Sequence, residues 1–265
     1  MTIKQYFNFF LENFIIAFKS LIEFKANLIN VIIVHIFQIF TIFVFGYVFI
    51  NSIGNVIGWT FFEYLLFIVC LTISYSLFAH NFFSFKFLNR EITSGNLNQY
   101  LFRPGNPLVK YFIMTKFSVV VYLINVIFYM ILLIFFYKYN VFLIIYSLPL
   151  LFLIALAYLI VYFILESISF YFLELGRSLR NTLDQEIVRR VLYFYPANFF
   201  EASNLKYFFM LIPISYIATE VVPILSGEKN SDYSIILILA VIIIVGIIIL
   251  NFMWKKGLEK YEAFG

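Results

Sequence analysis

The sequence predicts an all-α membrane protein with six transmembrane helices and an N-terminal amphipathic helix lying in the interface. Three observations carry this expectation. Of the 265 residues 64% are hydrophobic and only 12% charged, whereas soluble domains carry about 25% charge. Apolar runs long enough to cross a hydrocarbon core of about 30 Å as helices recur along the chain. These runs are continuous rather than alternating, which excludes a β-barrel and leaves helices as the spanning element.

The elements follow in chain order within a single membrane domain, 1–265. In MTIKQYFNFFLENFIIAFKSLIEFK, Lys4, Asn8, Glu12, Lys19 and Glu23 share one arc of a helix while Phe7, Phe10, Phe14, Phe18 and Leu21 lie mostly opposite. Residues 1–26 are therefore expected to lie flat in the interface. They lack the compact apolar core and small-residue cleavage site of a signal peptide. Spans are predicted at about 28–50 and 60–82, joined by NSIGNVIGW, which has no Lys or Arg. The loop 83–110 carries Lys86, Arg90, Arg103 and Lys110. Basic loops stay on the cytoplasmic side, so this loop and both termini are expected inside.

A third span at about 111–137 turns at 138–140 into a fourth at 141–166, with apolar character continuing to about 172. Next comes ELGRSLRNTLDQEIVRR with Arg177, Arg180, Arg189 and Arg190, which hydropathy places inside. Residues 191–226 contain Pro196, Pro213 and Pro223. Proline removes a helical hydrogen bond, and broken backbone at membrane depth must be buried in protein or line a cavity. This stretch is expected to cross once, irregularly, with a kinked or re-entrant part. The last span, about 233–254, ends at Lys255 and Lys256. Trp59 and Trp254 are expected as interfacial anchors at the outer and inner surfaces.

Polar residues inside the spans suggest few chemical roles. Thr115, Ser118, Tyr122, Asn125 and Tyr129 share one face of the third span. Such a stripe fits a translocation path or contacts between helices. Asn27, His35, Gln38 and Thr41 form a similar stripe on the first span. His35 and His80 have no Asp or Glu at metal-ligand spacing, so no metal site is expected. Glu63 and Glu166 fit either proton-relay carboxylates or groups solvated near an interface, the plainer reading. Cys70 reads as a small packing residue. No catalytic constellation assembles, no nucleic-acid motif is visible, and no GxxxxGK[ST] sequence supplies a P-loop.

Within FSFKFLNREITSGNLNQYLFRPGNPLVK, Ser94 or Asn96 is a candidate cap for a short helix that Pro104 ends. Leu97, Tyr100 and Leu101 stand at i, i+3 and i+4 and give it an apolar face. A two-turn helix is unstable alone in water and needs a surface. Spacing leaves two surfaces open: the chain's own membrane domain, or a partner's groove.

The run Arg90-Glu91-Ile92-x-x-Gly95-x-Leu97-x-x-x-Leu101-x-Arg103-Pro104 and the tail Trp254-x-x-Gly257-Leu258-x-x-Tyr261-x-x-x-Gly265 resemble the ABC-2 type permeases. The resemblance extends over the whole chain. It implies an ABC-2 type exporter fold in the cytoplasmic membrane of a prokaryote. It implies pairing with a second permease subunit, identical or related, over two copies of a separate ATPase that carries the ATP and Mg; this chain holds no cofactor of its own. It makes the loop the coupling element, with Arg90, Glu91, Gly95, Leu97, Tyr100, Leu101, Arg103 and Pro104 as ATPase-coupling residues. It also implies that the segment near Pro196 and Pro213 lies on the outer side, which would put 177–190 in the membrane. Central charges cost at least about 2.5 kcal/mol each on insertion scales, so the hydropathic placement inside is the one expected. Two other functions compete: a non-transporting anchor or sensor that recruits an ATPase, and an intramembrane enzyme.

Overall fold

A computed structural model describes residues 25–86, 88–102, 105–113, 141–192, 211–229 and 234–261, with isolated positions at 4–5, 7–8, 11–12, 15–16, 19, 23, 126–127, 130–131 and 209. The described residues are helical with turns and contain no strand. Described positions before residue 25 are helical, with Lys4, Glu12, Lys19 and Glu23 exposed. The long helices are α1 (Lys25–Ile57) and α2 (Phe61–Lys86). After them come the short helices α3 (Leu88–Thr93), α4 (Asn98–Leu101) and α5 (Pro107–Ile113). Then follow α6 (Val141–Ser167) and α7 (Leu173–Asn181), which continues in wide π-type turns over Thr182–Leu192. The chain closes with α8 (Val222–Ser226) and α9 (Ser234–Lys260).

Two of these, Tyr146–Phe170 and Ser234–Lys260, are long and apolar enough to cross a membrane, with mean hydropathies of 2.7 and 3.4. Shorter apolar helical stretches occur at Phe43–Ser52, Phe61–Ser74 and Pro213–Ser226. The polar stripe of the expected third span, Thr115, Ser118, Tyr122, Asn125 and Tyr129, lies outside the described residues.

The core is built around α6, against which both α2 and α9 pack. Leu151, Ile154, Ala157, Tyr158 and Tyr162 of α6 are all buried. Its small residues let neighbouring backbones approach, the usual device where lipid supplies no hydrophobic drive between helices. Ser74 of α2 donates its hydroxyl to the Leu151 carbonyl at 3.4 Å. α9 turns Ile235, Leu239, Ile243, Gly246, Leu250, Trp254 and Gly257 inward. These recur every three or four residues and form one face. The other face exposes Leu237, Ile238, Val241, Ile244, Ile248 and Phe252, as a surface toward lipid requires.

Two expectations change. Trp59 and Trp254, expected as interfacial anchors, are buried within the chain, Trp59 beside Phe67 at 5.6 Å between ring centroids. Glu63 is neither solvated nor positioned as a relay. It accepts from the Thr60 backbone amide at 2.6 Å and the Thr60 hydroxyl at 2.9 Å, while its own amide faces the Thr60 hydroxyl at 3.4 Å. This is the reciprocal capping box of a T-x-x-E sequence at the start of α2.

The proline-bearing stretch is irregular and buried. A 3-10 turn at Pro213–Ser215 passes through π-type turns at Ile217–Val221 into α8. The stretch packs against α2 and α6, with Ile214, Ile217, Ala218 and Val221 buried. Ser215 and Ser226 donate to the carbonyls of Ile212 and Pro223 at 2.8 and 3.2 Å, satisfying groups that a broken helix leaves open.

Beyond α6 a 3-10 turn at Ile168–Phe170 reverses the chain. The first turns of α7 run back along α6, with Gly176 against Ser169 and Arg180 beside Glu166. Three termini meet at this end of the bundle: α3, the 168–181 reversal and the end of α9. Lys260 lies 5.1 Å above the Tyr171 ring, and the Tyr171 hydroxyl donates to the Met253 carbonyl at 3.4 Å.

Candidate functional site

The loop between α2 and α5 is folded onto this basic end. α3 stops because Gly95, with φ +73°, turns the chain where a side chain would be strained. Leu88, Ile92 and Leu97 face inward and are buried. α4 is a single turn over 98–101 that starts from Leu97 without a side-chain cap, so neither Ser94 nor Asn96 plays the capping part expected of it. Its C-terminal end is held instead by Lys110, itself buried, whose ammonium donates to the Tyr100 carbonyl at 2.6 Å. A cation at the last carbonyls of a helix also complements its dipole. Gln99 reaches back to Glu91 at 3.4 Å and ties α4 to α3.

The three residues expected to form one apolar face therefore divide. Leu97 is fully buried in the chain's own core, and Tyr100 meets Tyr111 edge-on at 5.0 Å. Leu101 is only partly covered. The apolar side chain offered outward is Phe102, 85% exposed. Arg90 is exposed and Glu91 half-buried, and partial burial pushes the Glu91 carboxyl above the usual range against the opposing pull of Arg90 and Gln99. Arg103 and Pro104 lie outside the described residues.

Beneath the loop an aromatic chain leads into the bundle. Tyr111 lies 5.9 Å from Trp254, and Trp254 meets Phe170 edge-on at 5.2 Å. Gly257 lets α9 close on this cluster, since a Cβ there would stand 2.6 Å from the Phe170 ring. The Tyr261 hydroxyl is raised by burial and by the Glu91 charge. The loop run and the C-terminal tail, far apart in sequence, thus meet at one end of the molecule.

A polar cluster lies alongside. Glu166 is fully buried, with Arg180 Nε 3.3 Å from its Oε2, where solvation at an interface was expected. Neither Glu166 oxygen completes a hydrogen bond among the described residues, so the contact is an ion pair by distance. Arg180 Nη2 donates to Asn181 at 2.7 Å, and the Asn89 side chain donates to the Leu173 carbonyl at 2.9 Å. The Asn89 backbone amide faces the Glu166 carboxylate.

The exposure of Phe102, the contact of Lys110 with the Tyr100 carbonyl and the pairing of Glu166 with Arg180 are what sequence reasoning missed. A hydropathy profile shows that a charge is present but not which distant charge it meets, and Phe102 lay one position outside the assigned helical face.

The site is a short helical loop with one exposed apolar side chain, fastened to a helical bundle. Comparison with curated proteins and with solved structures finds no match. The family described as ABC-2 family transporter protein matches residues 35–265. Together with the apolar helices, this match makes the chain the membrane component of an ABC transporter, which associates with an ATP-binding subunit and is not itself the ATPase: it belongs to the ABC-2 family.

Proposed function

We propose that this chain is an exporter permease that works as a pair, homomeric or heteromeric, over two copies of a separate ATPase docked on the 83–110 loop. The observation that carries the docking claim is the exposed Phe102 beside half-covered Leu101, on a one-turn helix held from below by Lys110 and Tyr111. An apolar knob on a braced support suits a partner's groove, because the loop loses little further freedom on binding. In this reading Leu101 and Phe102 make contact. Leu97 and Tyr100 seat the helix, while Arg90, Glu91 and Gly95 set its angle, with Arg103 and Pro104 completing the frame. ATP and Mg act on the partner. Closure of the ATPases then moves the loop, and Thr115, Ser118, Tyr122, Asn125 and Tyr129 are the proposed path.

Phe102→Asp should abolish co-purification with the ATPase from detergent extracts while leaving the melting temperature unchanged, since a central apolar contact contributes about 2 kcal/mol or more. Leu101→Asp should do the same. Retained association and ATP turnover in both variants would remove the docking role and favour a different recruiting surface.

The proposed topology is six crossings with both termini cytoplasmic. For 166–226 the doubling back of α7 supports the arrangement that the ABC-2 resemblance implies, with 173–192 as the returning crossing. The insertion cost that opposed it falls where Glu166 neutralises Arg180, and Leu183, Val188 and Leu192 are buried along the same helix. Asn198→Cys in a Cys70→Ser background should then react with a membrane-impermeant maleimide added outside. Labelling only after the membrane is opened restores the cytoplasmic placement.

A further inference from the structure

We propose that the buried Glu166–Arg180 pair is a joint that makes the loop around α3 and the helix 173–192 move as one body. The proposal rests on the permease reading for what drives the movement, but the joint is a property of this chain alone. Three elements converge on it: α6 supplies Glu166, α7 supplies Arg180 at 3.3 Å, and Asn89 of α3 bonds the Leu173 carbonyl at 2.9 Å with its backbone amide turned toward Glu166. Gly176 makes the convergence close, because a Cβ there would lie 2.5 Å from the Ser169 backbone nitrogen. Glu166 and Glu91 both act electrostatically on Tyr111.

Stability alone does not explain the pair. Removing two charges from water costs about as much as their attraction returns, and well-packed apolar residues often serve equally well or better. Here the pair is also imperfectly satisfied, with both Glu166 oxygens lacking a hydrogen bond among the described residues. Because Glu166 belongs to α6, the pair ties the loop and the returning helix to each other through the last turn of α6. Residue by residue these are positioning groups, which act through the elements they join.

The experiment reads the distance between spin labels at Gln99→Cys on the loop and Arg177→Cys on α7, both exposed sites, in a Cys70→Ser background in lipid nanodiscs. With the native pair, the permease alone should give a single narrow distance peak. Glu166→Met with Arg180→Met should lose that peak while keeping the melting temperature, a separation that a purely structural pair does not produce. Arg180→Lys, which keeps the charge but lacks the guanidinium fork to Asn181, should give an intermediate width and supplies the answer if the double variant does not fold. An unchanged narrow peak in whichever variants fold overturns the joint. Maleimide reactivity at Arg177→Cys in the ATPase complex, with and without ATP, reads the drive separately. If ATP changes nothing there while the widths still differ, the joint stands and the ATP-driven reading fails.

Discussion

The two ends of the bundle each bury a carboxylate near the end of a helix, and they do so in opposite ways. Glu63, at the start of α2, is held by Thr60 three residues away. Glu166, in the last turn of α6, is held by Arg180 on another helix and faced by Asn89 on a third. The first arrangement closes on itself and carries nothing to its neighbours. The second exists only because three elements meet. A position in the sequence that looks the same, an acid near the end of an apolar run, is a local cap at one end and a tertiary junction at the other. The basic end is therefore where a disturbance of the loop spreads furthest.

The largest effect expected from this contrast is at Glu166. Glu166→Met alone leaves the buried Arg180 guanidinium without its opposing carboxylate and should lower stability by about 3–5 kcal/mol, read as loss of the thermal transition in detergent. Adding Arg180→Met should recover most of that loss, because the uncompensated charge is gone. If the single and double variants melt together, the pair is not coupled and the contrast between the two ends collapses.

The long helices were legible because their signal is compositional, and two of them are long and apolar enough to cross a membrane. Expected spans at 60–82, 141–166 and 233–254 correspond to helices at Phe61–Lys86, Val141–Ser167 and Ser234–Lys260. Each helix runs to or beyond the end of its apolar stretch, and hydropathy measures only the apolar part. The broken segment around Pro213 was also legible, since proline fixes its own backbone. Hydropathy did not reveal which helix is central. α9 has the higher mean hydropathy but faces outward over much of its surface, while α6, with buried Ser147, Tyr158, Tyr162 and Glu166, is the core. In lipid the most apolar helix is the one that need not find partners.

The candidate site divided along the same line. That the loop carries a short helix could be read from i, i+3 and i+4 spacing, but which surface Leu97 and Tyr100 meet could not. Spacing fixes a face and leaves open what lies opposite. Both turn to the chain's own core, and the aromatic chain Tyr100, Tyr111, Trp254 and Phe170 draws on segments from the whole length of the sequence. Trp254 shows the reason. Its place beside Lys255 and Lys256 suggests an interfacial anchor, yet a tryptophan is equally a large core residue once Gly257 brings α9 against Phe170.

The smallest expected effect sharpens the comparison from the other end. Thr60→Ala removes the hydroxyl half of the capping box and should cost about 1 kcal/mol, a modest fall in melting temperature. Glu63→Gln keeps an acceptor for the Thr60 amide and should be milder still, without altering ATP turnover in the assembled complex. At Glu166 the corresponding change removes the charge that Arg180 faces, so Glu166→Gln should be far more damaging than Glu63→Gln. A Glu63→Gln variant that matched Glu166→Gln in lost stability or lost turnover would mean that the carboxylate charge at the Thr60 end matters beyond capping. The distinction between a closed local cap and an open junction would then fail where it predicts the least.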